Sequence, residues 1–335
     1  MGITAKQLAE KLGLSAAAVS MALNGKPGVS TETRRRVLDA AAACGYDMTK
    51  IMEKQRKKQE ICLLVYKKHG AVVSDTAFFS ALFEGISDAC RPLGYRLAIR
   101  YVYDDGDTLE RQIREIAWSD CCGVILLGTE LTADRFPLFR ALRVPVVVAD
   151  TYFHGITADY VLINNMQGAF LAADWLIREK KTQPGYLRSS YPIGNFAERA
   201  NGFYDAIRSA GMSASRCVVH CLSPSEEGAR ADMGALLDSG EETARAYFAD
   251  NDLIAAGAMR AFFERGYRIP EDVCFVGFDN IPLAETLRPG LTTVHVPKKE
   301  LGAAAVRRLC EIIDGGETLP VKIEVSTRLI RRGSA

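Results

Sequence analysis

Apolar residues in the first 46 positions recur at helical spacing, which predicts three short helices and no strand. Thr4 and Gln7 form a capping box before the first helix, and Ser15 and Ser30 are favourable N-caps for the second and third. Gly13 ends the first helix. The positions predicted to face inward are Ala5, Leu8, Ala9, Leu12, Val19, Ala22, Leu23, Val37, Leu38 and Ala41. Two short helices joined by a tight glycine turn, with a third to support them, are typical of a helix-turn-helix unit.

From residue 61 onward the pattern changes to short apolar runs that alternate with helical stretches. Strands are predicted near 61–66, 97–103, 123–128, 144–149, 160–163, 217–222, 273–278 and 292–296. Helices are predicted near 78–94, 108–118, 132–143, 166–181, 197–211, 225–239, 252–266 and 298–313. Such alternation predicts an α/β fold with parallel sheets that are covered on both faces. Because the segment is long for one sheet, we expect two α/β lobes with a cleft between them.

The chain therefore divides into three parts. Residues 1–46 form a helical headpiece, residues 47–60 a linker, and residues 61–335 the two-lobed core. The linker is polar, carries five basic residues and contains neither Gly nor Pro, so it could become helical rather than act as a flexible tether.

Composition excludes several protein classes. The 335 residues are 48% hydrophobic and 25% charged, which is unlike a disordered chain. No apolar run approaches the roughly 18 residues that a membrane span needs. The start of the chain lacks the apolar stretch of a secretory signal, and the nine cysteines are scattered without a C-x-x-C motif. These features favour a cytoplasmic protein with reduced thiols.

The formal net charge of +1 conceals an uneven distribution of charge. The first 60 residues hold 11 Lys and Arg against 6 Asp and Glu, whereas the remainder of the chain is mildly acidic. A basic N-terminal piece suggests that it binds a polyanion, although a solvated basic surface would give the same count.

Several motifs resemble those of the lac repressor (LacI/GalR) family of bacterial transcription regulators. In the headpiece these are NGKPGVS at 24–30, RRRV at 34–37 and GY at 45–46. In the core they are RANGF at 199–203, DND at 250–252, IPEDV at 269–273, VGFD at 276–279 and LTTV at 291–294. The resemblance extends over the whole chain.

The resemblance implies a homodimeric repressor that binds a double-stranded DNA operator. Its core would be similar to a periplasmic sugar-binding protein and would sense a small, sugar-like effector in the cleft. No cofactor or metal is expected, and G-x-G-x-x-G, Walker A and G-x-S-x-G motifs are lacking, so an enzyme is not expected. The alternative is a cytoplasmic small-molecule-binding protein or enzyme that carries an accessory helical domain.

The resemblance places helix 15–23 in the major groove, with Ala16, Ala17 and Met21 at the positions that read bases. None of these side chains can form a bidentate hydrogen bond with a base, so we expect little direct readout. Basic side chains would instead contact phosphates. The candidate DNA-contacting residues are Thr4, Lys6, Ser15, Ala16, Ala17, Ser20, Met21, Asn24, Lys26, Arg34, Ile51 and Met52.

The linker departs from the family pattern. Family members carry an Asn, an Ala-Arg pair and a Leu that wedges into the minor groove, and the corresponding positions here hold Thr49, Met52-Glu53 and Gln55. Ile51 or Met52 is apolar enough to unstack a base step. Either one of these side chains intercalates or the linker does not kink DNA strongly.

The effector would be held by aromatic and polar groups at the cleft, because a few polar side chains in an apolar cavity fix a small ligand. The residues predicted to bind it are Phe78, Phe79, Asp150, Tyr152, Arg199, Asn251 and Asp279. Arg188, Ser189, Ser190 and Asn195 are weaker candidates on loops. Asp252 could merely cap its helix, and Asp279 could merely fix a turn. Cys217, His220 and Cys221 share one predicted strand, but alternation places His220 on the opposite face, which favours packing over metal binding.

Overall fold

The structure is a computed structural model that describes residues 3–24, 28–46, 60–73, 77–106, 108–117, 121–315 and 319–335. The chain forms two compact units. The first unit comprises residues 1–60 with 120–122, and the second comprises residues 61–119 with 123–335.

The first unit contains three helices, α1 (Ala5–Leu12), α2 (Ala16–Leu23) and α3 (Thr31–Ala43). Thr4 and Gln7 form the predicted capping box, and the side chains of Ser15 and Ser30 cap α2 and α3. The helices enclose a small core of Leu8, Ala9, Val19, Ala22, Leu23, Val37 and Ala41. Leu38, which the sequence pattern placed inward, is 38% exposed. It lies on the outer face of α3 because Val37 and Ala41, one helical turn apart, already fill the inner face.

The second unit is built from twelve strands and eight further α-helices within its described residues. The strands are β1 (Glu60–Lys67), β2 (Arg96–Tyr103), β3 (Gly123–Leu127), β4 (Val146–Ala149), β5 (Asp159–Ile163), β6 (Gly185–Ser189), β7 (Val219–Leu222), β8 (Ala246–Ala249), β9 (Cys274–Asp279), β10 (Thr292–His295), β11 (Lys322–Val325) and β12 (Arg328–Ile330). The helices are α4 (Ala77–Cys90), α5 (Thr108–Ala117), α6 (Asn165–Lys180), α7 (Gly194–Ser209), α8 (Glu226–Asp238), α9 (Asp252–Phe263), α10 (Leu283–Thr286) and α11 (Lys298–Gly315).

The strands form two six-stranded sheets, each of which is the centre of one lobe. The sheet of the first lobe has the order β11-β5-β4-β3-β1-β2, and the sheet of the second lobe has the order β12-β10-β9-β8-β6-β7. The pairings of β1, β3, β4, β5 and β11 are parallel, and in the second sheet only the pairing of β10 with β12 is antiparallel. This confirms the predicted α/β class with two parallel-dominated sheets.

The chain crosses between the lobes three times. It passes to the second lobe after β5, returns to the first lobe after β10, and crosses again between β11 and β12. Helices of one lobe pack closely, as where Gly202 of α7 lies against the backbone carbonyl of Met166 in α6, so that no side chain fits between them. Residues that follow the carboxyl ends of central strands in both sheets, among them Asp150 after β4 and Asn251 after β8, line the cleft between the lobes.

Several strands were not predicted from the sequence pattern. β8 is apolar but only four residues long, β6 is five residues long and contains an arginine, and β11 alternates exposed with half-buried residues. The helix predicted near 132–143 is a 3₁₀ helix at Phe136–Ala141. Among the described helices, none combines the length and apolarity needed to cross a bilayer.

Candidate functional site

A cavity lies between the two lobes of the second unit, beyond the carboxyl ends of the strands. It encloses about 560 Å³ of space outside the protein atoms, part of it open to solvent. The first lobe contributes Val72, Phe78, Phe79, Thr129 and Asp150. The second lobe contributes Ile193, Asn195, Phe196, Arg199, Pro224, Asn251, Asp252, Leu253, Asp279 and Ile281.

Arg199 is the cation of this cavity and is only 3% exposed. Its Nε donates to Oδ1 of Asn165 at 2.9 Å, and one Nη donates to the backbone oxygen of Asp250. The other Nη donates to Oδ1 of Asp279 at 3.1 Å. The guanidinium also lies 3.8 Å from the centroid of the Phe278 ring. These contacts hold the guanidinium of Arg199 in one orientation and supply the hydrogen bonds that a buried cation needs.

Asp150 and Asn195 join the two lobes across the cavity. Asp150 follows β4 in the first lobe, where Thr129 donates to its Oδ2 at 2.6 Å. Asn195 of α7 in the second lobe donates to Oδ1 of Asp150 at 2.9 Å and to its backbone oxygen at 3.1 Å. Asn165 in turn donates to Oδ1 of Asn195 at 3.1 Å. A continuous chain of buried hydrogen bonds thus runs from the first lobe through Asn195 and Asn165 to Arg199.

Asp252 is fully buried and does not cap its helix. Asn251 does so, because its Oδ1 accepts a hydrogen bond from the backbone N–H of Ile254 at 2.9 Å. The carboxylate of Asp252 accepts instead from the hydroxyl of Thr293 and from the backbone N–H of Ile281 at 2.8 Å. The alternative that Asp252 merely caps α9 is therefore wrong.

The buried carboxyls resist ionisation. Burial raises the pKa of Asp150 and of Asp250 to about 6, and it also raises the pKa of Asp279. The pKa of Asp252 is raised to about 8 by burial and, in addition, by the charge of Asp279. Burial lowers the pKa of Lys298, the nearest ammonium. Since perturbed pKa values cluster at functional sites, these shifts agree with the shape of the cavity in indicating a functional site.

Two of the aspartates have an unusual backbone conformation. Asp150 has a φ of 62° and Asp279 a φ of 102°, a region that residues with a side chain rarely adopt. Such conformations cost about 1–3 kcal/mol each and occur mainly at ligand-binding and catalytic sites. At both positions the turn directs a carboxylate from a strand end into the cavity network.

Glu130 organises the loop that follows β1. Its Oε2 accepts from the backbone N–H groups of Lys68, His69 and Gly70 at 2.8, 3.0 and 3.0 Å, and its Oε1 accepts from those of Val72 and Val73 at 3.0 Å each. These bonds lower the pKa of Glu130 although its burial acts in the opposite direction.

The folded loop brings Val72 to the cavity. It also places the ring of His69 edge-on against Tyr191 of the second lobe, with ring centroids 5.2 Å apart. Glu130 thereby fixes one rim of the cavity.

Six of the seven predicted effector residues line this one cavity: Phe78, Phe79, Asp150, Arg199, Asn251 and Asp279. Tyr152 does not. It borders a neighbouring pocket with Thr151 and Phe153, and the ammonium of Lys322 lies 4.2 Å from its ring centroid. Tyr152 comes two residues after Asp150, and its side chain lies outside the cavity that Asp150 enters.

Several residues of the site were not among those predicted from the sequence. Thr129 and Glu130 follow β3, and a polar pair directly after a buried strand could have indicated them. Asn165 and Lys298 begin helices after the crossings between the lobes, and nothing in the local pattern distinguishes them from surface residues. Asn195 was only a weak candidate, yet it makes the direct hydrogen bond between the lobes.

Within the described residues, no group of three or more His, Cys, Asp or Glu side chains is arranged to hold a metal ion. His220 is buried against the hydroxyl of Tyr247, at 3.2 Å from it, whereas Cys221 is exposed. These positions follow the predicted alternation along the strand. The nine cysteines are all free thiols.

In the first unit, α2 exposes Ser15, Ala16, Ala17 and Ser20 to solvent. Met21 and Asn24 are half-buried, and the amide of Asn24 donates to the backbone oxygen of Ser20 at 2.7 Å. A Cβ on Gly28 would lie 3.1 Å from the sulfur of Met21, so this methionine packs against the loop backbone. Among the other candidates, Thr4 and Lys6 are exposed and Arg34 is half-buried. Lys26, Ile51 and Met52 lie outside the described residues.

Comparison with known proteins finds similarity over the whole length. Residues 173–335 match the family model of a periplasmic binding protein-like domain. The chain is 29% identical to the HTH-type transcriptional repressor PurR of Mannheimia succiniciproducens over 334 residues, which cover 99% of this chain and 98% of the relative. It is also 29% identical to the ribose operon repressor of Haemophilus influenzae, with 92% of each chain covered.

Among solved structures, a complex of the transcriptional regulator CelR with cellobiose is 27% identical, with a TM-score of 0.74 and coverage of 99% of this chain and 100% of that one. The lac repressor dimer bound to operator shares the fold with a TM-score of 0.74 at 21% identity, over 100% of this chain and 99% of that one. These relatives are transcription regulators rather than enzymes, as the sequence analysis expected for this chain.

Proposed function

Because the chain belongs to the lac repressor (LacI/GalR) family of transcription regulators, we propose that it is a sequence-specific DNA-binding repressor switched by a small, sugar-like ligand in the cleft. The observation that carries the proposal is the buried hydrogen-bond chain between the lobes, from Asp150 through Asn195 to Arg199. A ligand in the cavity touches groups of both lobes, so its binding energy depends on how the lobes are arranged.

The switch follows from this dependence. A ligand shifts an equilibrium between two arrangements only by the difference in its affinity for them. Asp150 comes from the first lobe, whereas Arg199 and Asp279 come from the second, so a ligand that contacts all three favours one lobe arrangement. We propose that operator affinity changes with the arrangement of the lobes.

At the DNA, we propose that α2 enters the major groove with Ser15, Ala16 and Ala17 toward the base edges. The alanine methyl groups can contact thymine methyls but cannot form hydrogen bonds. Basic residues of the headpiece, among them Lys6, Lys26 and Arg34, would neutralise phosphates, and Ile51 or Met52 would enter the minor groove. The protein would act as a homodimer on a pseudo-palindromic operator, since two-fold symmetry of a protein is mirrored in its half-sites.

The test uses duplexes selected from a random library by the full chain, with binding followed by fluorescence anisotropy. A panel of sugars, nucleosides and purines is then added to find the compound that changes affinity for the selected duplex. Failure to enrich any duplex would contradict DNA binding, and enrichment without any ligand effect would contradict the switch.

We expect Arg199→Ala to bind the selected duplex within about twofold of the wild type and to lose the ligand response, because Arg199 holds the cavity network but belongs to the second unit. The matched control is Arg208→Ala on the same helix, where Arg208 is exposed and pairs with Asp205. A normal ligand response in Arg199→Ala would show that the cavity is not the sensor.

A further inference from the structure

Asn195 is the side chain through which the second lobe bonds to the first lobe at the cavity. It belongs to α7, and its Nδ2 donates to Oδ1 of Asp150 at 2.9 Å and to the backbone oxygen of Asp150 at 3.1 Å. Its own Oδ1 accepts from Asn165 at 3.1 Å. An amide side chain has two N–H donors, so Asn195 uses both of them across the cleft.

Both sides of this contact are held in place by other bonds of their own lobe. In the first lobe, Thr129 donates to Oδ2 of Asp150 at 2.6 Å. In the second lobe, Arg199 donates to Asn165, which in turn donates to Asn195. Asp150 and Asn195 are only 2% and 7% exposed. Because the two partners are already oriented, little further ordering opposes their pairing.

A second contact between the lobes lies at the rim of the cavity. There the ring of His69 packs edge-on against the ring of Tyr191, with centroids 5.2 Å apart. Ser189 fixes the backbone of Tyr191, because its hydroxyl accepts from the N–H of Tyr191 and donates to its carbonyl oxygen, each at 3.0 Å. The chain's own side chains therefore join the lobes at two places.

These bonds compete with a ligand for the polar groups of the first lobe. Among the described residues of that lobe that line the cavity, only Thr129 and Asp150 are polar, and they are bonded to each other. The remaining bonds of Asp150 go to Asn195. A ligand that needs Asp150, or that needs the lobes to separate, must break the bonds of the Asn195 amide. When only a fraction of the protein is free to bind, apparent affinity falls by that fraction.

We propose that Asn195 is an autoinhibitory latch: its amide holds the two lobes together through Asp150, and the ligand of the cleft binds only when this amide has been displaced. This inference rests on the proposed function, because it concerns the regulation of the same cavity. Loss of the amide frees Asp150 and lets the lobes separate, so it raises the affinity for a ligand. Loss of a side chain that contacts the ligand would lower that affinity instead, so the two roles predict opposite results.

The first experiment follows hydrogen exchange of the full chain by mass spectrometry, with no compound added. In Asn195→Ala, the amides of 128–131 in the first lobe should exchange at least about tenfold faster, because the substitution reaches them only through the latch. In Asp150→Gly, where glycine adopts the φ of 62° without strain, the amides of 193–197 in the second lobe should respond likewise. The control is Asn201→Ala, an exposed asparagine of α7, which should change neither segment. A response confined to the substituted lobe overturns the latch, whereas protected amides in β9 separate opening from unfolding.

The second experiment measures calorimetric affinity of the wild type and Asn195→Ala for D-ribose, D-glucose and adenosine. Any of the three that binds should bind Asn195→Ala at least about fivefold more tightly than the wild type. Equal or weaker binding by Asn195→Ala overturns the latch and makes Asn195 a ligand contact. If none of the three binds either protein, the exchange result decides alone. Selection of DNA duplexes by the wild type shows separately whether the proposed function stands.

Discussion

Several residues of the cavity are buried carboxyls whose negative charge is only partly stabilised by the groups around them. Asp252 is the extreme case, because it is fully buried and accepts one hydrogen bond on each oxygen. Burial and the charge of Asp279 raise its pKa to about 8 from the usual 3.8. Protons therefore bind more tightly to Asp252 in the folded than in the unfolded chain, which links the stability of the second unit to pH.

The linkage has a defined sign. A carboxyl whose pKa is raised on folding contributes stability at low pH, and this contribution is lost as the pH rises toward the folded-state pKa. The free-energy cost of Asp252→Asn, which cannot titrate, should therefore be largest near pH 5 and should decrease steadily up to about pH 8. Urea denaturation of the wild type and the variant at pH 5, 6, 7 and 8 measures this trend.

The control for this prediction is Asp272→Asn. The hydrogen bonds from Arg268 lower the pKa of Asp272 to about 2, so Asp272 is ionised in both states throughout this range. Its cost should be independent of pH. A cost of Asp252→Asn that is constant or grows with pH would show that Asp252 is not the proton-binding group.

Among single residues, those that the sequence predicted at the cleft have a side-chain type that is unusual for their position. Phe78 lies at the start of α4, Asp279 ends β9 and Arg199 lies in the second turn of α7. For these residues the resemblance and the α/β pattern together point to the cleft. Asn165 could not be predicted, because an asparagine at the start of a helix has no distinguishing pattern and its partners are distant in sequence. The role of Asp252 was misjudged because a carboxyl at a helix start normally caps it.

Among the elements, the loop after β1 depends on one side chain from another loop. Its residues 68–73 donate five backbone N–H groups to Glu130, and the loop then supplies Val72 to the cavity and His69 to the contact with Tyr191. A loop folded around a carboxylate can be disturbed without removing any residue that contacts the ligand.

We expect Glu130→Gln to loosen this loop. The amide nitrogen of glutamine is a donor, so at least two of the five N–H groups would face another donor, and unsatisfied buried donors cost about 1–3 kcal/mol each. Backbone amides of 68–73 should then exchange with solvent much faster, as followed by hydrogen-exchange mass spectrometry, while those of β9 remain protected. The control is Glu110→Gln on the exposed face of α5. Unchanged exchange in 68–73 would refute this role for Glu130.

Elements were predictable where their pattern was long or well capped. The three headpiece helices have caps that are visible in the sequence, β3 is apolar throughout, and β1 is apolar between its terminal residues Glu60 and Lys67. The short strands β6 and β8 become strands only because their neighbours supply hydrogen-bond partners on both sides, and sheet partners are a property of the fold rather than of the local segment.

On the scale of the whole molecule, the first lobe presents an apolar edge. β2 is the outer strand of its sheet, and Ile99, Tyr101 and Tyr103 alternate along it with exposed fractions of 43%, 41% and 50%. An exposed apolar edge strand tends to pair with another chain. A second copy of the same protein, related by a two-fold axis, would cover it.

We expect the wild type to be a dimer at micromolar concentration in size-exclusion chromatography with light scattering. Ile99→Glu should shift the protein to a monomer, because it places a charge in the centre of the apolar edge. Leu319→Glu, at a residue that is 85% exposed elsewhere in the unit, should remain dimeric. A monomeric wild type would contradict the dimer altogether, and a dimeric Ile99→Glu would place the interface on another face.

The three crossings between the lobes also have a consequence for how the protein is made. β11 completes the sheet of the first lobe beside β5, although 158 residues separate the end of β5 from the start of β11 in the chain, and almost all of the second lobe lies between them. A nascent chain emerging from the ribosome therefore exposes the unpaired edge of β5 until Val325 has been synthesised. The first lobe contains the residues of the core that are synthesised first. Its folding therefore depends on translation speed and on chaperone binding during this interval.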